Sequence, residues 1–143
     1  MSRGIESIGF TGTQAGMTTL QLQSFQALLQ LVKSAKLHHG DCIGADAEAH
    51  DIATNLEMST VIHPPLDDRK RAFKWSDVVR PARAYLDRNH DIVDETDVLL
   101  ATPKESLEVL RSGTWATVRY AYKQGKLVLL ILPDGLLRYI RSS

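Results

Sequence analysis

Apolar positions along this chain alternate between two rhythms. Residues 7–11 (SIGFT), 37–40, 59–63 (STVIH), 98–101 (VLLA) and 127–132 (LVLLIL) form short, mostly apolar runs that read as strands. Between them lie longer patterns of period three to four. Over 18–36, Phe25, Leu28, Leu29 and Val32 mark the inner face of an amphipathic helix. A second helix is predicted over 45–56, a third over 81–95 and a fourth over 114–124. Pro81 suits the first turn of the third, and Pro64 and Pro65 stop the strand before it. The connection 64–80, with its DDRKR cluster, has no clear period. Connections of that length are usually functional or mobile, so it reads as a lid or a docking loop.

Strands that are apolar nearly throughout and separated by helices imply a parallel sheet covered on both faces. The fold class predicted is α/β, a single Rossmann-like domain over 1–143. Its doubly wound sheet has five parallel strands in the order 3-2-1-4-5. Ligands in that architecture bind outside the carboxyl ends of the strands, where the winding reverses between strands 1 and 4. The loops after strands 1, 2 and 4 are therefore the ones to read for chemistry.

Composition removes several alternatives. A chain of 143 residues that is 43% hydrophobic can bury a core. Seventeen basic and seventeen acidic residues cancel, so no global field draws it to nucleic acid or to a membrane. The lone Cys42 cannot form an intrachain disulfide, no signal-peptide pattern is present, and no apolar run could span a bilayer. The expected location is cytoplasmic.

The loop after strand 1, TGTQAGMTT, offers Gly12 and Gly16 for close backbone approach and Thr13, Thr18 and Thr19 as hydroxyls. It lacks the lysine of a GxxxxGK[ST] phosphate loop. The loop after strand 2, GDCIGAD, adds Gly40 and Gly44, while Asp41 and Asp46 are acceptors for ribose hydroxyls. His38, His39, Asp41 and Cys42 suggest a metal, but adjacent strand residues point to opposite faces, so no shared ion is expected. In the third helix Asn89 falls on the inward stripe, with Arg88 near its edge. After strand 4 come Thr102 and then Arg111, Ser112, Gly113 and Thr114. A helix start with free amides, a glycine and an arginine is an anion site.

Taken together, GFTGT, GDCIGAD, HPP, YLDRNHDIVDETDVLLATP and RSGTWATVRYA, in that order, resemble the SLOG superfamily. That group includes the LOG (lonely guy) phosphoribohydrolases, DprA-type proteins and small Rossmann-like nucleotide binders. The resemblance covers nearly the whole chain. It implies a nucleotide-derived ligand, near Gly12 and Thr13, Gly44 and Asp46, and Arg88 and Asn89. Arg111, Ser112, Gly113 and Thr114 would cradle its phosphate, with Asp41, Thr102 and Met17 nearby. It also implies a homodimer paired through helices.

One departure bears on catalysis. LOG enzymes carry a PGGxGTxxE loop whose glutamate serves glycosidic cleavage, and here Thr117 falls at that position. Threonine is neither a carboxylate base nor a partner for developing positive charge. The leading expectation is a nucleotide-ligand binder or sensor with no required cofactor and no metal. A nucleotide N-glycosidase or deoxyribosyltransferase-like enzyme would have to recruit Asp41 or Asp46. A protein-interaction module would use the 67–77 segment with Phe73 and Trp75. Binding to single-stranded DNA lacks both the charge and a stacking platform.

Overall fold

A computed structural model describes residues 4–142. Eleven elements follow one another: β1 (Ser7–Gly12), α1 (Thr19–Leu31), β2 (Lys36–His39), α2 (Ala45–Asn55), β3 (Thr60–Ile62), β4 (Val78–Val79), α3 (Tyr85–Asp94), β5 (Val98–Thr102), α4 (Gly113–Lys123), β6 (Leu127–Ile131) and β7 (Leu137–Ile140). They build a Rossmann-like α/β sheet in the order β4-β3-β2-β1-β5-β6-β7, with every pair parallel except β6–β7. The inner five strands are the predicted 3-2-1-4-5 set.

The sheet has seven strands rather than five because each edge gains one. At one edge, Gly135 at φ +83 turns the chain back after β6, and Leu132 N–H bonds the Leu136 carbonyl. An Asp134-Gly135 pair after an apolar strand is a hairpin signal. At the other edge, the two residues of β4 pair with Val61 and Ile62.

Strand alternation divides the core in two. Leu100, Leu129 and Ile131 join Phe10, Phe25, Leu29 and Leu37 under α1 and α2, while Leu99, Ala101, Val128 and Leu130 meet Val93, Trp115 and Val118 of α3 and α4. Ala45, Ala49 and Ala53, four apart on α2 and fully buried, bring that helix close to the sheet. Thr18 begins α1 with a capping box shared with Gln21.

Two helix boundaries differ from the expected ones. α1 stops at Leu31 because Val32 N–H and Ala35 N–H turn to the carbonyls of Leu29 and Val32. α3 starts at Tyr85, leaving Pro81 outside its first turn. Arg83 is held extended beside Pro65, exchanging bonds between Leu66 N–H and the Arg83 carbonyl and between Arg83 N–H and the Pro64 carbonyl.

The 64–80 connection is a pinned strap. Asp41, fully buried at φ +56, accepts Arg71 Nε at 2.8 Å and Lys74 N–H at 3.0 Å on its two carboxylate oxygens. Lys74 Nζ reaches Asp51, and Ser76 bonds Thr60. Phe73 and Trp75 stay exposed on its outer side. Among the described residues, no helix is long and apolar enough to cross a membrane.

Candidate functional site

The loops after β1, β2 and β5 enclose a cavity of about 370 Å³ at the carboxyl edge of the sheet, where the winding reverses. That volume is within the usual range for small-molecule pockets. Of the residues expected at the ligand, Gly12, Thr13, Asp46, Arg88, Asn89, Ser112, Gly113 and Thr114 line it, together with Gly40 and Cys42 of the second loop. Asp41, Gly44, Thr102 and Arg111 do not, and neither does any residue of the 64–80 strap.

Arg88 dominates the wall on the β2 side. It is buried although it belongs to an exposed helix start, because Arg88 and Ile92, four apart, form the inward stripe of α3. Asn89, expected on that stripe, instead sits half-buried at the cavity rim and accepts Arg88 Nε at 2.7 Å. Arg88 Nη1 donates to the carbonyls of Gly40 at 2.5 Å and His63 at 3.0 Å. These carbonyls fix the guanidinium against the ends of β2 and β3.

Asp46, in the first turn of α2, faces the same cavity and accepts the Cys42 amide at 3.1 Å. Burial pushes its carboxyl up to about 6, against the pull of Arg88 and of its backbone donors. The Cys42 thiol is likewise pushed up, chiefly by burial and then by Asp46.

The glycines of the first two loops give space to the protein itself. A side chain on Gly12 would run into Ala45 and Thr102, one on Gly40 into the Arg88 guanidinium, and one on Gly44 into the Gln14 backbone. Gly44 also sits at φ +88, a conformation that L residues rarely adopt. Thr13 ties this side together, accepting Ala15 N–H on its hydroxyl and Gly16 and Ala45 N–H on its carbonyl.

The opposite wall is open. Ser112 caps α4, its hydroxyl accepting Trp115 N–H at 3.2 Å and its carbonyl accepting Ala116 N–H at 2.9 Å. Among the described residues, the amides of Gly113 and Thr114 have no intramolecular partner, and both residues line the cavity. A side chain placed on Gly113 would meet nothing within 4 Å. Arg111 is exposed and does not line the cavity. Thr117 is buried and spends its hydroxyl on the Gly113 carbonyl at 2.9 Å.

Sequence reading missed Tyr85, Lys104 and Glu105 on this lining. Lys104 follows β5 by two residues, so its position at the strand's carboxyl end was the available signal. Tyr85 is placed by the late start of α3, which the extended Arg83 decides. Glu105 accepts the Trp115 indole N–H at 3.2 Å, a tertiary contact with no local signature.

Adjacent histidines do separate to opposite faces. His39 Nε2 lies 2.9 Å from His50 Nδ1 on the α2 side, and His38 Nδ1 lies 2.9 Å from His63 Nε2 on the α3 side. Burial holds His39 well below the usual histidine range, with His50 beside it acting in the same direction.

Neither a protein-family model nor a curated protein matches the sequence. Solved structures do match in fold. The molybdenum cofactor binding protein of the phototrophic bacterium Rippkaea orientalis is 23% identical, with a TM-score of 0.70 over 92% of this chain and 78% of that one. The Moco carrier protein of Chlamydomonas reinhardtii is 24% identical, with a TM-score of 0.67 over 90% of this chain and 76% of that one. These neighbours correct the expectation that no cofactor is required, because both are named for holding one. The likeness shows the fold, a Rossmann-like α/β sheet shared with proteins named for binding or carrying a cofactor.

Proposed function

We propose that this chain reversibly binds a small phosphate-bearing heterocycle in the cavity at the carboxyl edge of its sheet and does not cleave it. The observation that carries this reading is the opposition of two walls. Free amides at the start of α4 and the nearby Lys104 face the buried Arg88 and Asp46 across about 370 Å³. An anionic group suits the helix start, where unpaired N–H groups and the helix dipole converge. A ring bearing N–H donors suits Asp46, whose carboxylate has accepting capacity left after its bond to Cys42.

Two ligand classes meet that description. Phosphorylated pterins of the molybdenum cofactor class are supported by what the structural neighbours are named for. Nucleotide-derived ligands are supported by the superfamily resemblance of the loops. Thr117, buried and bonded to Gly113, supports binding without glycosidic cleavage. The hydrolase reading keeps little support, since Asp41 is bound to Arg71 and Lys74, leaving Asp46 as the aspartate that reaches the cavity.

The test is a ligand panel read by thermal unfolding, with mass spectrometry and elemental analysis of whatever the purified chain carries. A phosphorylated pterin or a nucleotide should raise the melting temperature, increasingly so with its concentration. Products in the mixture would overturn the non-cleaving part. The absence of any shift at millimolar concentration in both classes would overturn the whole.

A further inference from the structure

On the α3 side of the sheet, apart from the cavity lining, three side chains converge from three elements. His38 is the third residue of β2, His63 directly follows β3, and Glu95 caps the end of α3. The parallel register sets His38 beside Val61, so His63, two residues further on, points to the same face. His38 Nδ1 and His63 Nε2 are 2.9 Å apart, and Glu95 Oε1 is 4.0 Å from each. Both imidazoles are buried, whereas the Glu95 side chain is 35% exposed.

A triangle of those sides contains a point about 2.1 Å from both nitrogens and about 2.2 Å from the oxygen, which are the distances zinc takes to imidazole and carboxylate. His38 lies within β2, and His63, one residue past β3, is tied to the sheet by its N–H on the His39 carbonyl, so the two nitrogens are presented with little freedom to lose. Glu95, 35% exposed, is the ligand on the solvent side, where a water would complete four-coordination. Two imidazoles and one carboxylate suit a borderline ion such as zinc better than calcium or magnesium, which take oxygen ligands.

We infer that His38, His63 and Glu95 form a site for one divalent transition-metal ion of the zinc class, closed by Arg80 when the ion is absent. Arg80 holds Glu95 Oε1 through Nε at 3.0 Å and Nη2 at 2.9 Å. Its side chain is 45% exposed. The guanidinium balances the carboxylate charge that an ion would otherwise balance. Metal and Arg80 therefore compete for one oxygen. The arrangement also touches the cavity wall, because Arg88 bonds the His63 carbonyl.

The test uses the full chain stripped with a chelator, titrated with Co²⁺ and followed by its visible ligand-field absorption, then with Zn²⁺ against a chromophoric chelator. One equivalent should bind, and Zn²⁺ should displace Co²⁺. Glu95→Gln should weaken binding by at least about tenfold, while Arg80→Gln should tighten it by a similar factor. Both positions are partly exposed, so both variants should keep the wild-type unfolding profile, which is measured alongside. His63→Gln should abolish the cobalt spectrum. Absence of the spectrum in wild type, or equal affinity in wild type, Glu95→Gln and Arg80→Gln, would overturn the inference.

Discussion

The two walls of the cavity use glycine for opposite reasons. On the β1–β2 side, the space beside Gly12, Gly40 and Gly44 is filled by Ala45, the Arg88 guanidinium and the Gln14 backbone. On the α4 side, Gly113 faces open space. A glycine in a sequence announces that something comes close to the backbone, but not what. Here the first wall closes on itself and fixes Arg88 and Asp46 in advance of any ligand. The second presents two amides that make no intramolecular bond among the described residues. Preorganised charge faces an open anion seat, a division that limits what binding must order.

The largest effect that can break this comparison is Gly44→Val. It meets both the left-handed φ and the Gln14 backbone, so it should cost about 3 kcal/mol or more, read as a lower urea midpoint. Gly113→Leu should do the reverse. Its fold should stay within about 0.5 kcal/mol of wild type, while the ligand-induced thermal shift disappears because the new side chain fills the seat. If Gly113→Leu also unfolded the protein, the open wall would be as structural as the closed one.

How far the sequence could carry this distinction depends on the residue. The inner five strands and their order were legible because parallel core strands are apolar throughout and connections are right-handed. The edge strand β7 was equally legible, since Asp134-Gly135 is a hairpin pair, yet it lay outside the expected five. β4 was not, because its two valines pair with β3 at the end of a strap held by long-range bonds to Asp41, Asp51 and Thr60. The cavity's position and eight of its residues followed from the switch point. Arg88 rather than Asn89 turned inward, since the α3 stripe depends on a start that Pro65 and Arg83 set from outside the helix. Contacts between residues distant in sequence, such as His38 with His63, leave no local mark.

A smaller effect concerns what the closed wall costs. Asp46 has a folded carboxyl near 6 against an ordinary 3.8, raised by burial and partly offset by Arg88, with Asp41 adding to the rise. Because the folded state holds this proton more tightly than the unfolded chain, wild-type stability falls as pH rises from 3.8 through about 6 and stays lower above that. Asp46→Asn should therefore stabilise the protein at pH 7 by on the order of 1–3 kcal/mol, a net effect that already includes the attraction to Arg88. The gain should shrink towards pH 4, where the wild-type carboxyl is itself protonated. Ligand affinity should drop in the same variant. Equal unfolding free energies of wild type and Asp46→Asn at pH 7 would mean that this wall carries no stored cost.

The smallest effect sharpens the open wall. The sequence makes Arg111 the phosphate's cation, but it is exposed and off the cavity lining, whereas Lys104 lines the cavity. An exposed charge away from the ligand acts only through screened Coulomb attraction, which at physiological salt decays over about 8 Å. Arg111→Ala should therefore weaken binding by less than about threefold, and that loss should vanish in high salt. Lys104→Ala should cost more and keep part of its effect in salt, because its ammonium can contact the anion directly. These two variants, compared at low and high ionic strength, separate a residue that attracts the ligand from one that holds it. If Arg111→Ala proved the costlier of the pair at both ionic strengths, the loop from Lys104 to Ser112 would have to refold around the bound phosphate, and the open wall would be a closing one.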